Sequence, residues 1–351
     1  MIRVLVIDDS AVMRAFLGRV VGSQPDMELA GVASDPLLAI DRIRRSPPDV
    51  ITLDVEMPRM NGLEFLRKLM AVRPLPVVMV SSLTQQGAEA TLRALELGAV
   101  DFFPKPASLE ALDAVGPGIA EKIRAAAQAR VGRHGWAPAE SRPASAGPVA
   151  LRPAAARPAS GRIIGIGAST GGVEALRHIL TALPAAMPPI VIAQHMLPGF
   201  TETFARRLDA SCELNVREAK DGEEACEGGV YVAPGGRHLV VQRSATGYRL
   251  RLSDEPPVNR HRPSVDTLFR SLAQAAGPRC TALILTGMGA DGAEAMLELR
   301  RSGATTLAQD EASSVVFGMP RQAIALGAAQ EIVGLEQVAG RLLALSAQGH
   351  P

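Results

Sequence analysis

The 351-residue sequence has few cysteines, and their arrangement argues against a disulfide-stabilised fold. Only three are present, Cys212, Cys226 and Cys280, and no two of them form a C-x-x-C pair. An odd number of cysteines without that spacing is typical of a protein that works in a reducing cytosol.

Long apolar runs and an excess of charge of one sign are also absent. No run approaches the roughly 20 residues that cross a bilayer, and the N-terminus lacks the basic region and cleavage site of a signal peptide. The net charge is +1, and no helix-turn-helix pattern is present, so nothing favours nucleic acid as a partner. The sequence therefore predicts a cytoplasmic protein that neither binds nucleic acid nor inserts into a membrane.

A change of composition near the middle of the chain divides it into two domains. Residues 126–160 are mainly Ala, Pro, Arg, Gly and Ser, without helical or strand periodicity. Because prolines at this density favour extended chain, we interpret the stretch as a linker. The first domain is then 1–125 and the second 161–345. The basic residues of the linker suit either a solvated spacer or a contact with an acidic surface.

Short apolar runs alternate with helical patterns in the first domain, which predicts an α/β fold. The candidate strands are 3–7, 27–32, 50–53, 77–80 and 99–103. Five consecutive strand–helix units predict a parallel sheet that is covered on both faces.

The second domain continues the alternation with strands at 162–166, 190–193 and 281–285. These strands predict a second α/β sheet, mainly parallel. One antiparallel hairpin is expected to interrupt the pattern, with strands 230–233 and 239–242 around a Pro-Gly-Gly turn.

The strand ends of the first domain carry acidic and phosphoryl-binding side chains. Asp8 and Asp9 follow the first strand and Asp54 the third. Three carboxylates at one sheet edge repel one another unless a cation joins them, and Mg²⁺ is the hard cation that prefers such ligands. Asp54 is then placed to attack a phosphorus atom. Lys105 would neutralise the phosphoryl charge, and the Ser81 hydroxyl would hydrogen-bond one of its oxygens.

This first domain resembles the response-regulator receiver domain. The resemblance rests on Asp8-Asp9-Ser10, Asp54-Val-Glu-Met-Pro-Arg-Met-Asn-Gly-Leu, Ser81-Ser82 and Phe103-Pro-Lys105-Pro. It implies a flavodoxin-like sheet with strand order 2-1-3-4-5 and phosphorylation of Asp54 by a histidine kinase. It also implies Mg²⁺ held by Asp8, Asp9, Asp54 and the backbone carbonyl of Glu56, and an aromatic residue, Phe102, that reorients on phosphorylation.

The second domain contains Gly-Ala-Ser169-Thr-Gly directly after an apolar strand. This stretch matches the G-x-S-x-G pattern that raises a nucleophilic serine on a strand-to-helix turn. A dinucleotide loop fits less well, because Thr170 replaces its third glycine and the next strand ends in Gln194-His195 instead of an acid. Ser169 is therefore the candidate nucleophile.

A serine nucleophile needs a base, and the base needs an acid to orient it. Of the six histidines, only His195 follows a strand whose carboxyl end should neighbour that of the Ser169 strand. Asp291 lies on a glycine-rich loop after the strand 281–285, and a helix N-cap role is compatible with that position. We predict that Ser169, His195 and Asp291 meet at one sheet edge.

Backbone amides are the candidate donors to the oxyanion that a serine hydrolase forms. They are the Thr170 amide, at the start of a helix, and the turn that ends at Met288. Two interpretations of residues 260–264 stay open: a wall of the substrate groove or a solvated loop.

The order Ser–His–Asp differs from that of ordinary α/β-hydrolases and resembles the CheB family of chemotaxis protein-glutamate methylesterases. Further matching stretches are Tyr231-Val-Ala-Pro-Gly-Gly236, Arg262-Pro-Ser-Val-Asp266 and Leu285-Thr-Gly-Met-Gly-Ala-Asp-Gly292. The resemblance implies a doubly wound, mainly parallel catalytic domain that needs no cofactor.

The same resemblance implies that this catalytic domain removes methyl esters from glutamates on the cytoplasmic helices of chemoreceptors and releases methanol. It also implies deamidation of specific receptor glutamines. In that family the unphosphorylated receiver blocks receptor access, and phosphorylation relieves the block.

Two alternatives stay open at this point. The second domain of a non-enzymatic regulator would bind a partner, with Ser169 an ordinary loop residue. A receiver-controlled esterase of the same fold would act on another ester or outside chemotaxis.

Overall fold

The computed structural model describes residues 1–57, 60–82, 84–105, 112–131 and 161–347. These residues form two compact units that divide within the stretch 132–160. Most of the predicted linker, from residue 132 onward, therefore lies outside the described residues, as do Pro58, Arg59 and Pro106 of the receiver-like motifs. No helix of the described residues is both long enough and apolar enough to span a membrane.

The first unit alternates strands and helices along its whole described length. The elements are β1 (Ile2–Ile7), α1 (Ala11–Gly22), β2 (Met27–Ala33), α2 (Pro36–Arg45), β3 (Val50–Asp54), α3 (Gly62–Val72), β4 (Val77–Ser81), α4 (Gln85–Glu96), β5 (Asp101–Pro104) and α5 (Leu112–Ala127). The sheet order is β2-β1-β3-β4-β5, and every pairing is parallel. The predicted fold class and strand order are confirmed.

The central strands of the first unit are buried on both faces, as their continuous apolar runs predict. All residues of β3 and β4 are buried, which is typical of a parallel sheet between two helical layers. The polar residues that end these strands, Asp54 and Ser81, are only 1% exposed. The polar side chains that end these strands therefore lie buried at the carboxyl edge of the sheet.

The second unit contains a larger parallel sheet and a small antiparallel one. Its elements are β6 (Ile163–Ala168), α6 (Gly172–Thr181), β7 (Ile190–Gln194), α7 (Thr201–Asp209), β8 (Asn215–Glu218), β9 (Glu224–Ala225), β10 (Gly229–Val232), β11 (His238–Arg243), β12 (Tyr248–Ser253), α8 (Val265–Ala275), a short 3₁₀ helix (Gly277–Arg279), β13 (Cys280–Ile284), α9 (Ala293–Arg301), β14 (Thr305–Gln309), α10 (Met319–Ala325), β15 (Glu331–Val333) and α11 (Leu335–Ala347). The parallel sheet has the order β15-β14-β13-β6-β7-β10-β8, and the antiparallel sheet has the order β11-β12-β9.

The predicted antiparallel hairpin was placed one strand too early. Strand β10 lies between β7 and β8 and pairs parallel with both, whereas β11 pairs antiparallel with β12. The Pro-Gly-Gly stretch connects the two sheets through a turn in which the Arg237 amide donates to the Pro234 carbonyl at 3.2 Å. A Cβ at Gly235 would lie 2.3 Å from the Leu197 backbone. This glycine permits a close approach between two chain segments and does not mark a hairpin turn.

Strand β6 sits at the topological switch point of the larger sheet. Its neighbours are β7, which follows it in sequence, and β13, which comes more than a hundred residues later. In open α/β sheets a ligand crevice forms outside the carboxyl ends of the strands at such a point. The residues after β6, β7 and β13 therefore border one crevice.

Helix α8 packs closely on β6 because this strand carries glycines where the helix crosses it. A Cβ at Gly167 would lie 2.2 Å from Val265 Cγ1, and one at Gly165 would lie 2.3 Å from Leu272 Cδ1. The close packing brings the start of α8 to the carboxyl edge of β6.

A Gly167→Ala substitution is expected to lower the free energy of unfolding by about 1–3 kcal/mol, because its Cβ would overpack against the branched Val265 side chain. Gly340→Ala is the matched control, since Gly340 lies in α11 and a Cβ there would meet no other part of the chain within 4 Å. The control should gain up to about 1 kcal/mol from helix propensity. Urea unfolding of both variants tests this, and equal stability of the two would contradict the packing argument.

Candidate functional site

The acidic cluster of the first unit forms at the carboxyl edge of its sheet. One carboxylate oxygen from each of Asp8, Asp9 and Asp54 lies within 4.8 Å of the others. Lys105 Nζ donates to Asp54 Oδ2 at 2.7 Å and lies 3.7 Å from Asp8 Oδ2. These four sequence-predicted side chains are therefore brought together.

The other residues predicted from the receiver resemblance are Ser81, Glu56 and Phe102. The Ser81 hydroxyl donates to the Gly87 carbonyl at 3.0 Å, so it faces helix α4. Glu56 donates its backbone amide to Asp54 Oδ1 at 3.2 Å, and its carboxylate accepts from the Ser82 hydroxyl at 3.3 Å. Phe102 is buried, 5% exposed.

The electrostatics of the acidic cluster suit a divalent cation. Burial raises the pKa of Asp8 to about 6, and the Asp54 carboxylate adds to the rise. Asp8 Oδ2 is buried and makes no hydrogen bond with any described residue. The side chains of the cluster offer only carboxylate oxygens, and one of these, Asp8 Oδ2, has no hydrogen bond within the described part of the chain. Such oxygens are the ligands that a hard divalent ion prefers, and the ion would offset the mutual repulsion of the carboxylates.

Ser169 occupies the turn between β6 and α6, where both of its backbone groups are fixed. Its amide donates to the Thr286 carbonyl at 3.1 Å. Its carbonyl accepts from the Gly172 amide at 2.7 Å and from the Gln194 side-chain amide at 3.0 Å. Position 287 has to be glycine, since a Cβ on Gly287 would lie 2.6 Å from the Ser169 Cβ. The serine is thus held on a tightly packed strand-to-helix turn.

His195 lies beside Ser169 at the end of the neighbouring strand. The β6–β7 ladder pairs Ala168 with Gln194, so Ser169 and His195 are the next residues in register. The His195 amide donates to the Ala168 carbonyl at 3.0 Å. Because paired strands lie about 4.8 Å apart, the two backbones are neighbours.

Asp291, on the loop after β13, forms a buried pair with His195. His195 Nε2 lies 2.8 Å from Asp291 Oδ2, and the two side chains are 7% and 2% exposed. The structure therefore brings the predicted base and the predicted acid into contact.

The Asp291 carboxylate accepts hydrogen bonds from several further groups. The Val265 amide donates to Oδ2 at 2.7 Å, while the Ser264 hydroxyl and the Asn259 side-chain amide donate to Oδ1 at 2.9 and 2.8 Å. The Asp266 amide adds a longer contact of 3.3 Å. Burial alone would raise the pKa of Asp291, but the hydrogen bond and charge of His195, with these donors, hold it well below its usual range. The carboxylate is therefore ionised at neutral pH.

An ionised Asp291 determines the tautomer of neutral His195. A carboxylate can only accept, so the proton of the imidazole must be on Nε2, and Nδ1 carries the lone pair. Nδ1 is buried and has no hydrogen-bond partner among the described residues, the Ser169 hydroxyl included. Catalytic hydrogen bonds of this kind commonly tighten only in the substrate complex. His195 thus presents an unpaired basic nitrogen at the end of the strand next to Ser169.

His238 shows the contrasting environment of a structural histidine. It is 1% exposed, its Nδ1 accepts from the Ser264 amide at 3.2 Å, and its Nε2 faces the Pro256 carbonyl at 3.1 Å. Both nitrogens therefore contact backbone groups, one at the N-cap of α8 and the other in the loop before it.

The candidate oxyanion donors lie on the two loops that flank Ser169. The Gly287 amide already donates to the Val316 carbonyl at 3.0 Å, whereas the Met288 amide makes no hydrogen bond with the described residues. Thr170 is buried, and its carbonyl accepts from the Thr286 hydroxyl at 2.9 Å. These contacts leave the Met288 amide available to a ligand.

The contacts that surround the His195–Asp291 pair were not predicted from the sequence. Asn259, Ser264 and Asp266 all contact Asp291, and the ring of His261 stacks on that of His195. Two signals were present in the sequence: the stretch Arg262-Pro-Ser-Val-Asp266, which matches the CheB family, and the dense polar stretch 260–264, which suits a groove wall or a solvated loop.

Comparison with known proteins identifies the type of both units. Residues 4–115 match the family model described as response regulator receiver domain, and residues 164–342 match that described as CheB methylesterase.

Relatives extend over nearly the whole chain. The chain is 55% identical over 350 residues to the protein-glutamate methylesterase/protein-glutamine glutaminase of Pectobacterium atrosepticum, which covers 99% of this chain and 98% of that protein. A similarly named protein of Burkholderia lata is 54% identical over 345 residues, or 98% of this chain and 95% of that one. The crystal structure of the CheB methylesterase catalytic domain of Thermotoga maritima is 41% identical, with a TM-score of 0.52, and covers 53% of this chain and 99% of that one.

Mg²⁺ is expected to bind the acidic cluster with an affinity that falls as pH drops below about 6, because a protonated Asp8 cannot act as a ligand. Titration calorimetry of the full chain at about pH 7.5 and about pH 5 measures this dependence. Asp9→Asn should weaken binding by removing one carboxylate, whereas the exposed Asp41→Asn on α2 should not. Equal affinity at both pH values would contradict the assignment of Asp8 as a ligand.

Proposed function

The chain belongs to the CheB methylesterase family, and on this premise we propose that it hydrolyses methyl esters of glutamate side chains on chemoreceptors. The same site converts specific receptor glutamines to glutamates. The observation that carries the proposal is the buried His195–Asp291 pair, 2.8 Å apart, at the strand end next to Ser169. A serine, a histidine and an ionised carboxylate at one sheet edge are the groups that acyl transfer requires.

Acylation begins when Ser169 Oγ attacks the carbonyl carbon of the side-chain ester. His195 Nδ1 takes the hydroxyl proton as the C–O bond forms, and the imidazolium that results is stabilised through Nε2 by Asp291. Asp291 stays a carboxylate throughout, since its neighbours hold its pKa low.

Collapse of the tetrahedral intermediate breaks the bond to the leaving group. His195 returns its proton to the departing oxygen, so that methanol leaves, or to the departing nitrogen of a glutamine, so that ammonia leaves. Water then attacks the acyl-enzyme with His195 as base, releasing a glutamate and restoring Ser169.

The tetrahedral intermediates carry a negative oxygen that needs donors. We assign this role to the backbone amides of Met288 and Thr170, which flank the Ser169 turn. The amide of Met288 has no competing partner among the described residues. Thr170 precedes the start of α6, where the helix dipole favours negative charge.

The receiver domain places this esterase under the control of phosphorylation. Asp54 accepts the phosphoryl group from a histidine kinase. Asp8, Asp9, Asp54 and the Glu56 carbonyl would hold Mg²⁺, which would offset the negative charge of the carboxylates and of the phosphoryl group. Lys105 neutralises the added charge, and the Ser81 hydroxyl turns from Gly87 to the phosphoryl oxygens. The reaction takes place in the cytoplasm, where kinase and receptor helices are both accessible.

Ser169→Ala is expected to lower the rate of methanol release from methylated receptor by roughly 10⁴-fold or more, because it removes the nucleophile. Ser302→Ala is the matched control, because its hydroxyl donates to the Leu299 carbonyl at the far end of α9. Chromatographic assay of methanol measures both variants. Full activity of Ser169→Ala would refute the nucleophile assignment, and equal rates on methylated receptor and on generic esters would favour an esterase with another substrate.

Acetyl phosphate with Mg²⁺ is expected to raise the esterase rate of the native chain and to leave that of Asp54→Ala unchanged, since the variant has no acceptor carboxylate. Asp41→Ala, which removes an exposed carboxylate of α2, should respond like the native chain. The same methanol assay provides the measurement. An equal response of Asp54→Ala would show that activation does not pass through this aspartate.

A further inference from the structure

A tight turn, Val258–His261, lies against both members of the His195–Asp291 pair. Val258 and His261 exchange backbone hydrogen bonds of 3.1 and 2.9 Å. The two residues between them, Asn259 and Arg260, have φ angles of 52° and 67°. Positive φ at both central positions is the mark of a type I′ turn, a narrow connection in which asparagine is favoured.

Asn259 uses its side-chain amide to bridge two carboxylates. Nδ2 donates to Asp291 Oδ1 and to Asp266 Oδ2, each at 2.8 Å. Asp266 is itself held, because its Oδ1 accepts from the Gly292 and Ala295 amides at 3.1 Å. Since a primary amide has two donor hydrogens, both are used here, and the position of Asp291 is tied to the start of α9.

His261 contacts the other member of the pair. Its ring is stacked on the ring of His195, with the centroids 3.7 Å apart and the planes 10° from parallel. His195 has a single side-chain hydrogen bond, to Asp291, because its Nδ1 is unpartnered among the described residues. One hydrogen bond lets a ring pivot about the bonded atom. A flat neighbour at van der Waals distance opposes that pivot.

We propose that the turn Val258–His261 is a positioning clamp for the catalytic pair. Asn259 holds the Asp291 carboxylate, and His261 holds the plane of the His195 ring, so that Nδ1 keeps the position from which it accepts the Ser169 proton. Neither residue reacts with substrate; each acts through its neighbour. The clamp deepens the proposed esterase mechanism and depends on it.

The geometry explains why a misplaced ring would be costly. Proton transfer from Ser169 requires Nδ1 within hydrogen-bond reach of the hydroxyl, and misplacement by about 1 Å can cost on the order of 100-fold in rate. Because both restraints come from one four-residue turn, they place the acid and the base relative to each other.

Two substitutions test the clamp in the full chain. Asn259→Gly removes the side-chain amide and keeps a residue that accepts positive φ. The substitution therefore adds no backbone strain that could itself change the rate. His261→Ala removes the stacked ring, and His261→Phe restores a flat aromatic face without nitrogen atoms. His178→Ala is the matched histidine control, because His178 is a half-exposed residue of α6 whose Nε2 lies 3.1 Å from Glu336.

Steady-state methanol release should show kcat lowered roughly 10- to 100-fold in Asn259→Gly and His261→Ala, with KM changed by no more than about twofold. His261→Phe should return kcat to within about threefold of the native value, since an aromatic ring keeps the stacking face. His178→Ala should behave as the native chain. Thermal unfolding followed by circular dichroism establishes that each variant is folded at the assay temperature.

Several results would overturn the clamp. A native kcat in both Asn259→Gly and His261→Ala would show that the turn positions nothing. A raised KM with native kcat would make the turn a substrate contact, and activity that falls in step with the folded fraction would make it structural. If Asn259→Gly does not fold, the pair His261→Ala and His261→Phe still decides the matter through rescue.

The same assay separates failure of the clamp from failure of the proposed function. If Ser169→Ala retains activity, the esterase mechanism itself is wrong. If Ser169→Ala is inactive while the turn variants retain native kcat, only the clamp is wrong.

Discussion

The buried carboxylate of Asp291 is the group on which the second unit depends. Removing an ionised carboxylate from water costs several kcal/mol unless hydrogen bonds compensate. Compensation here comes from His195, Asn259, Ser264 and the amides at the start of α8. These donors come from separate segments of the chain, so the segments must converge on one point. The glycines of β6, the close packing of α8 and the turn before it all serve that convergence.

Burial of a carboxylate has opposite consequences for its pKa at the two sheet edges. Asp291 is a single carboxylate among hydrogen-bond donors, so its pKa is held low although it is buried. Asp8 lies among other carboxylates with one lysine nearby, so burial raises its pKa to about 6 and the site attracts a cation. The same strand-end geometry therefore yields an ionised carboxylate paired with a histidine in one unit and a cluster of carboxylates suited to a divalent cation in the other.

Local sequence identified the candidate residues wherever a strand ends at a site. The apolar runs of β1, β3, β6, β7 and β13 located the edges, and the polar residues that follow these runs named the candidates. The hairpin was misplaced because the Pro-Gly-Gly stretch does form a turn, but this turn leads from β10 into a strand of a different sheet. Local sequence does not show whether the strands on the two sides of a turn pair with each other.

The sequence by itself determined the two α/β domains, the acidic cluster and the three candidate catalytic residues, because hydrophobic periodicity and strand-end position are local properties of the chain. Only the tertiary structure decided which nitrogen of His195 faces Asp291, and that Asn259 and His261 contact the pair. Those facts depend on where a left-handed turn lies relative to two strands from distant parts of the chain. Such distances arise from packing, and no pattern within the turn encodes them.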